Sequence, residues 1–311
     1  MRRVLLAVTV ILAAGPGSGL AQVRTAYPEK RGLALDQFPR TIKLAENVYG
    51  YEDIRQPGFT TVTLFVVGAN GVLIADGQGS PAATQKLLDA IKAVTPKPVR
   101  WYVVGSDHGD HTAGNSVLPK DITYIIHPNS LAQMQRDAAN PNRQPNAPPV
   151  IVPPAAMSGA SQTIDVGGIE VRAMFLGRAH TGGDLMVYLP RQKILFMSEA
   201  YLNRVFPAMR SAYPSEWVAT IDKALAMDVD RYVPGHGFIE EPKVSREELV
   251  EFQKALKAVN AEVKRLHDQG LSADAAIAQA SWGPYSDWFL RDQQAPIAVR
   301  KVYEELDGKL K

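Results

Sequence analysis

Four of the six histidines and one aspartate in this 311-residue chain fall where strand-like apolar runs give way to tight turns. The segment 106–111, Ser-Asp-His-Gly-Asp-His, follows the apolar run 99–105, and His180 and His236 follow later runs. Histidine and aspartate are ordinary ligands for zinc-like cations. Any fold that brings these separate turns to one edge would therefore build a metal site there.

The chain alternates between strand-like and helix-like patterns. Apolar runs predict an opening strand over 41–51 and a hairpin whose strands, 59–67 and 72–75, are joined through Asn70-Gly71. Ser80-Pro81 predicts the start of a helix. Further strands are predicted over 99–105, 122–126, 169–176, 185–189, 194–197 and 231–233, and further helices after Pro128 and around Trp217, Ile221 and Leu225.

The last seventy-odd residues read as helical. Ser245 and Glu248 have the spacing of a capping box, Gly270 ends the helix that follows, and Ser272 caps another. The apolar stripe of the long helix consists of Leu249, Phe252, Leu256, Val259, Val263 and Leu266. Two series of strands, each with its helices, predict an α/β domain of two sheets with helices outside and a helical C-terminal extension packed on it.

The N-terminus has the order of a secretory signal peptide. Arg2 and Arg3 precede the apolar run 4–14, and small residues follow at 19–21. This predicts cleavage after Ala21 and export to the periplasm or the cell exterior, with no membrane anchor left because the run is too short to span a bilayer. The predicted organisation is a signal peptide over 1–21, a main domain over 22–240 and a helical extension over 241–311.

Composition narrows the range of partners. The formal charge of +2 falls to zero when the two arginines of the signal peptide are removed. A neutral chain without basic runs argues against nucleic acid or an anionic membrane as partner. The predicted partner is a small-molecule substrate. The chain has no cysteine, so no thiolate can serve as nucleophile or metal ligand.

Five short motifs occur in the order typical of the metallo-β-lactamase superfamily, which the chain resembles from about Thr41 to Gly237. They are Ile-Ala-Asp-Gly at 74–77, the segment 106–111, Ala-His-Thr-Gly-Gly at 179–183, Leu-Phe-Met-Ser-Glu at 195–199 and Pro-Gly-His-Gly at 234–237. The resemblance implies an αββα sandwich with a metal site at one edge. The family includes β-lactamases, thioesterases, lactonases, nucleases and sulfur dioxygenases, so the fold leaves the substrate open.

The resemblance also implies a ligand set. The family's first metal position corresponds to Ser106, His108 and His180, its second to Asp110, His111 and His236, and Glu199 would touch one or both metals. The usual first histidine is here Ser106, a poor zinc ligand, and Glu199 stands in place of an aspartate. Losing a ligand costs several kcal/mol of metal affinity. We therefore expect one strongly bound zinc at the second position and a weak or absent second ion.

The expected chemistry is attack by a metal-bound hydroxide on the carbonyl carbon of an ester, thioester, lactone or β-lactam. Asp110 would orient the nucleophile, and His108 and His180 would exchange a proton. Arg204 or Arg210 could receive a substrate carboxylate and Tyr201 could wall the pocket, unless either arginine pairs with an acidic neighbour. The segment 139–161, dense in proline and asparagine, is predicted to be a long loop, either a lid or an unstructured insertion.

Three functions remain open from sequence. A metallohydrolase is the leading hypothesis. A metal- or ligand-binding relative without turnover is the alternative, supported by Ser106. A mononuclear-iron oxygenase is the third, although the related oxygenases use as an iron ligand the histidine that Ser106 replaces. His127 and His267 are interpreted as structural and surface residues, respectively.

Overall fold

The structure is a computed structural model that describes residues 23–55 and 58–310, and the predicted signal peptide lies outside those residues. The strands are β1 (Arg40–Ala45), β2 (Val48–Arg55), β3 (Phe59–Gly68), β4 (Gly71–Ala75), β5 (Val99–Val103), β6 (Thr123–Ile125), β7 (Ser161–Asp165), β8 (Glu170–Met174), β9 (Met186–Leu189), β10 (Ile194–Phe196) and β11 (Arg231–Val233). The helices are α1 (Pro81–Val94), α2 (Gly109–Thr112), α3 (Pro128–Ala138), α4 (Pro214–Leu225), α5 (Pro242–Asp268), α6 (Ala273–Gln279) and α7 (Arg291–Leu306). Within the described ranges, no helix is both long enough and apolar enough to cross a bilayer.

The strands form two sheets. The first has the order β1-β2-β3-β4-β5-β6, antiparallel from β1 to β4 and parallel from β4 to β6. The second has the order β11-β10-β9-β8-β7, antiparallel from β7 to β10, with β11 parallel to β10. Turns of two to four residues join β1 to β2, β3 to β4, β7 to β8 and β9 to β10, whereas the longer connection from β8 to β9 carries His180.

Alternate residues of each central strand enter different cores. In β3, Leu64 and Val66 face the second sheet, whereas Phe65 and Val67 face the layer of α1. Because both faces are covered, β3 is buried along its whole length. This is why the sequence shows a continuous apolar run there rather than a polar–apolar alternation.

Helices cover the outer faces of both sheets. Leu87 and Ile91 of α1 pack on the first sheet. Trp217 of α4 and Phe252 and Leu256 of α5 belong to the core that covers the second. The predicted αββα sandwich with additional C-terminal helices is confirmed. The helix α5 begins next to the predicted boundary at 240, and it shares this core with α4, so the division into domain and extension stays a prediction.

Two strand predictions differ from the structure, one in each sheet. The run 41–51 is not one strand, because Asn47 turns the chain with φ of 61° and separates β1 from β2. Asparagine tolerates this left-handed conformation better than most residues. The strand β7 was not predicted, since its exposed polar residues alternate with so few apolar ones.

The predicted capping box was also wrong. The helix α5 begins at Pro242, which places Ser245 inside its first turns rather than at its cap. The Ser245 hydroxyl instead accepts the Tyr232 N–H at 3.1 Å, and the Glu248 carboxylate pairs with Arg204. Proline at the first helical position was the better start signal, because its fixed φ suits a helix and its missing N–H costs nothing there.

Three other helix boundaries agree with the predictions. The Ser80 hydroxyl accepts the Ala83 N–H at 3.1 Å, and the Ser272 hydroxyl accepts the Ala275 N–H at 3.3 Å. Gly270 follows α5 with φ of 76°, the left-handed conformation that commonly ends a helix.

The segment 139–160 is irregular and lies along the first sheet. The Met157 N–H donates to the Ile126 carbonyl at 2.9 Å, and the Met157 side chain is buried between the sheets. None of this segment lines the cleft beside His108. Its packing against β6, rather than over that cleft, speaks against a lid.

Candidate metal centre

The predicted ligands meet at one edge of the sandwich because of strand direction. In the first sheet β2, β4 and β5 point the same way, and in the second β8, β10 and β11 share a direction. The segment 106–111 follows β5, His180 follows β8, Glu199 follows β10 and His236 follows β11. The carboxyl ends of these strands therefore bring together residues far apart in sequence, such as His111 and His236, which are separated by 125 positions.

Four side chains direct one atom each toward a common point. Asp110 Oδ2 lies 3.0 Å from His236 Nε2 and 3.6 Å from His111 Nε2. Glu199 Oε1 lies 3.3 Å from His236 Nε2 and 3.8 Å from His111 Nε2, and the two Nε2 atoms are 3.3 Å apart. Ligand atoms about 2.0–2.1 Å from a tetrahedral zinc are about 3.3–3.4 Å from one another. The four residues thus fit a divalent cation in spacing and in donor type.

Outer contacts orient the two imidazoles of this set. His236 Nδ1 donates to the Thr60 carbonyl at 2.8 Å, which leaves Nε2 as the nitrogen with a free lone pair. His111 Nδ1 lies 3.1 Å from Asp76 Oδ2. The Asp76 carboxylate is itself held by the Gly105 N–H at 2.6 Å and by the Ser198 hydroxyl. These contacts keep both Nε2 atoms directed at the common point.

The two carboxylates of the set are charged despite their burial. Burial and the nearby Glu199 push the pKa of Asp110 upward, but His111 and His236 outweigh them and hold it below its usual range. Burial likewise raises the pKa of Glu199, whereas His180, His108 and His111 hold it well below its usual value. Both side chains can therefore act as anionic ligands at neutral pH.

The histidines of the set carry the balancing charge. Burial opposes protonation of His111, but Asp76, Asp110 and Glu199 raise its pKa well above the usual value. The pKa of His236 is also raised, since bonds to Asp110 and Glu199 outweigh its burial. Binding of a cation by these two imidazoles would therefore be coupled to the release of protons.

A second group shares Glu199. Nδ1 of His108 and Nδ1 of His180 each lie 3.1 Å from Glu199 Oε2, and the two rings meet edge to face with centroids 4.6 Å apart. The Ser106 hydroxyl donates to the same Oε2 at 2.5 Å. This group offers two imidazoles and one shared oxygen, a smaller donor set than the first.

The six predicted ligands therefore lie together, but two of the three substrate candidates do not join them. The Arg204 guanidinium bonds to both oxygens of the buried Glu248 carboxylate on α5. Tyr201 is fully buried with its ring near Phe252. Both side chains point into the C-terminal helical layer, because the chain turns away from the edge directly after Glu199.

The third candidate, Arg210, lies at the mouth of the site. It is exposed and lines a cleft with Asp107, His108 and Ser211. The Ser211 hydroxyl lies 3.0 Å from His108 Nε2, so this loop also contacts the ligand cluster. Arg210 remains a candidate for substrate binding.

The other two histidines lie outside the centre. His127 Nδ1 accepts the Asn129 N–H at 3.2 Å at the start of α3, and its ring stacks on Phe175. His267 is half-buried, with Nε2 3.1 Å from Asp307 Oδ1. Both have structural partners.

Sequence reasoning missed several contacts of the ligand cluster, among them the side chains of Asp76, Arg55 and Ser211. Asp76 was noticed as part of a motif, but its contact with His111 was not expected. Arg55, at the carboxyl end of β2, contacts Asp110 Oδ2, and Ser211 contacts His108. The signal for Asp76 and Arg55 was available, since Arg55 ends β2 and Asp76 directly follows β4, and both strands run toward the same edge. Ser211 had no such signal.

Comparison with known proteins adds family information to this geometry. The model of the metallo-beta-lactamase superfamily matches residues 55–236. The alpha subunit of a 2,4-dinitroanisole O-demethylase from Nocardioides sp. is 24% identical over 176 residues, which are 56% of this chain and 52% of that protein. A type 2 metallo-beta-lactamase from Bacillus cereus is 21% identical over 174 residues, 54% of this chain and 64% of that protein.

Among solved structures, a stereoselective inverting sec-alkylsulfatase from Pseudomonas sp. superposes with a TM-score of 0.65 at 15% identity. The match covers 86% of this chain and 50% of that one. The chain thus spans only half to two thirds of the length of these relatives. At this identity the superposition describes a shared fold.

Proposed function

This chain belongs to the metallo-β-lactamase superfamily, and we propose that it is a metal-dependent hydrolase. Its substrate would be a small molecule, attacked at an ester-like carbonyl carbon. The observation that supports this most directly is the convergence of Asp110, His111, Glu199 and His236 at one edge, with one ligand atom of each within 4.8 Å of the others. Buried carboxylates and imidazoles so close together suit a cation far better than they suit an apolar core.

We propose zinc as the ion and one well-held site. Two imidazole nitrogens and two carboxylate oxygens are a donor set that zinc accepts in tetrahedral geometry. The group of His108, His180 and Glu199 would hold a second ion weakly, because Ser106 supplies a hydrogen bond where a third imidazole would be needed. Catalysis would need a coordination position for water, which three ligands, Asp110, His111 and His236, would leave open. A zinc ion held in that way would lower the pKa of the water toward 7 and polarise the scissile group.

The residues around the site divide the proton chemistry. Glu199 raises the pKa of His108 against burial, whereas burial lowers the pKa of His180. Two imidazoles whose pKa values are shifted in opposite directions suit opposite roles. His108 would hold a proton for the leaving group, while His180 would stay neutral. The Ser211 hydroxyl, 3.0 Å from His108 Nε2, would fix the orientation of that ring.

A second candidate is hydrolysis of a sulfate ester. It is favoured by the extent of the alkylsulfatase superposition, which covers 86% of the chain and so must include helices beyond the family match at 55–236. The exposed Arg210 beside His108 suits a sulfate group as well as a carboxylate.

The proposed partner and location rest on the sequence. A neutral mature chain and a small cleft beside His108 favour a small-molecule substrate rather than nucleic acid. The arginines and apolar run before Ala21 support export to the periplasm or the cell exterior, with the mature protein released from the membrane.

The decisive experiment is metal analysis of protein purified without added metal, followed by turnover of a panel of carboxylic esters, thioesters, lactones, β-lactams and sulfate esters. We expect about one zinc per chain and hydrolysis that Asp110→Ala abolishes together with zinc binding. Arg191→Gln, in the turn at the opposite end of β10, should leave both unchanged. Bound iron with oxygen consumption would instead identify an oxygenase, and bound metal without turnover would identify a binding protein.

A further inference from the structure

Arg55 reaches the metal edge through the direction of its strand. It is the last residue of β2 and pairs across the hairpin with Phe59. The guanidinium carbon lies 5.3 Å from the Phe59 ring centre, and the Phe59 ring lies 4.9 Å from the ring of His236. Backbone pairing and the aromatic contact together place this cation beside the Asp110–His236 side of the centre.

The contact of Arg55 falls on one particular atom. One terminal nitrogen of Arg55 bonds to Asp110 Oδ2, which is also the oxygen 3.0 Å from His236 Nε2. The guanidinium therefore lies at the rim of the ligand set. Whatever occupies the open side of the centre would lie within reach of the remaining N–H groups.

Stability alone gives little reason for this contact. The Arg55 side chain is 39% exposed, and an ion pair so open to solvent contributes little to folding. Asp110 is already held by His236 on the same oxygen. An arginine has five N–H donors, and within the described part of the chain Asp110 is the only acceptor that Arg55 contacts.

We propose that Arg55 is a specificity-determining residue that binds an anionic oxygen of the substrate beside the metal, an inference that rests on the proposed hydrolase function. A guanidinium binds carboxylate and sulfate oxygens through paired, charge-assisted hydrogen bonds. The substrate class is then a small ester or amide with a carboxylate or sulfate group near the scissile bond. Arg210 stands on the other side of the cluster, beside His108, and does not replace Arg55 there.

The test compares zinc-loaded wild type with Arg55→Gln, Arg55→Lys and the matched control Arg191→Gln. Calorimetry would measure the dissociation constants of inorganic sulfate and of acetate, and chelator competition would measure that of zinc. We expect Arg55→Gln to weaken anion binding about tenfold or more, Arg55→Lys to weaken it less, and Arg191→Gln to leave it unchanged. The anion that loses more affinity identifies the group that Arg55 receives.

A kinetic arm uses an anionic and a neutral ester with the same leaving group. Arg55→Gln should raise KM for the anionic ester about tenfold and leave the neutral one nearly unchanged. Equal anion affinities in wild type and Arg55→Gln, no anion binding by the wild type, or tighter zinc binding with unchanged anion affinity would each overturn the proposal. Failure of the hydrolase function would show separately, as absence of zinc or turnover in the wild type.

Discussion

Ser106 makes the two halves of the ligand cluster unequal. Its hydroxyl donates at 2.5 Å to Glu199 Oε2, the oxygen that also lies 3.1 Å from Nδ1 of His108 and of His180. A neutral hydroxyl is a poor zinc ligand, and here it also occupies a lone pair of the shared carboxylate. At this residue the structure supports an expectation of one well-held ion.

The replacement Ser106→His tests that asymmetry. A third imidazole beside His108 and His180 should raise the zinc content from about one to about two per chain, because it supplies the missing ligand. Elemental analysis after dialysis gives the stoichiometry. Ser106→Ala, which removes the hydroxyl without adding a ligand, should stay near one, and an unchanged value for the histidine variant would contradict the assignment.

Asp184 supplies a pH-dependent element of stability next to the His180 turn. Burial raises the pKa of its carboxyl to about 7, against hydrogen bonds from the Thr181 N–H at 2.7 Å and the Thr181 hydroxyl at 2.6 Å. Between the ordinary value of 3.8 and about 7, the folded chain therefore keeps a proton that the unfolded chain has lost. The contribution is present at low pH and lost as the pH rises through 7.

The replacement Asp184→Asn should remove this dependence. We expect the wild type to lose about 2–3 kcal/mol of unfolding free energy, relative to the variant, between about pH 5 and about pH 8. Urea unfolding at both pH values gives the difference. The exposed Asp121→Asn should keep the wild-type profile, and parallel profiles for wild type and Asp184→Asn would count against a raised pKa.

Among the elements, α5 joins the C-terminal layer to the second sheet. Its stripe of Leu249, Phe252, Leu256, Val259, Val263 and Leu266 is fully or almost fully buried, as the period of the sequence predicted. The start of the helix was harder to predict, because Ser245 and Glu248 match a capping pattern and yet serve tertiary contacts. The spacing of apolar residues predicts which face of a helix is buried. A polar residue is harder to interpret, because it can either cap its own helix or bond to a distant part of the chain.

The replacement Leu256→Ala measures how much this layer contributes. Removing a fully buried leucine side chain leaves a cavity, so the free energy of unfolding should fall by about 2–5 kcal/mol. Lys254→Ala, whose side chain is 61% exposed, should change it by less than about 0.5 kcal/mol. Chemical unfolding of both variants measures these changes. A similar loss of unfolding free energy in the two would mean that the apolar face of the helix does not stabilise the fold.

At the scale of the whole molecule, the candidate metal centre takes its residues from both sheets. Asp110 and His111 follow a strand of the first sheet, whereas Glu199 and His236 follow strands of the second. An ion bound by all four would therefore tie together both halves of the sandwich. Because the unfolded chain cannot assemble these ligands, metal binding should stabilise the fold as a whole.

The corresponding prediction concerns added zinc and its removal. Free zinc at about 100 times its Kd should raise the free energy of unfolding by about 2.7 kcal/mol, and a chelator should reverse the gain. Thermal unfolding with and without zinc gives the shift in Tm. Asp110→Ala should show little or no shift, and an equal shift in that variant would place the binding elsewhere.

The sequence by itself determined the layers and the kinds of ligand. Apolar runs gave the central strands, helical periodicity gave the outer layers, and the residues 106–111, His180, Glu199 and His236 followed strand ends. These features depend only on residues close together in sequence, so the sequence alone predicts them. The turn at Asn47, with φ of 61°, and the exposed strand β7 were missed, and the start of α5 was predicted from the wrong residues.

Tertiary structure alone decided which side chains meet. Ser106 bonds to Glu199 across 93 positions, Arg55 to Asp110 across 55, and Arg204 to Glu248 across 44. These three pairings follow from strand order and direction, and none of them leaves a local pattern in the chain. The two arginines therefore have different surroundings: Arg55 lies beside the candidate metal centre, whereas Arg204 forms an ion pair with the buried Glu248. The direction of the backbone differs at the two places.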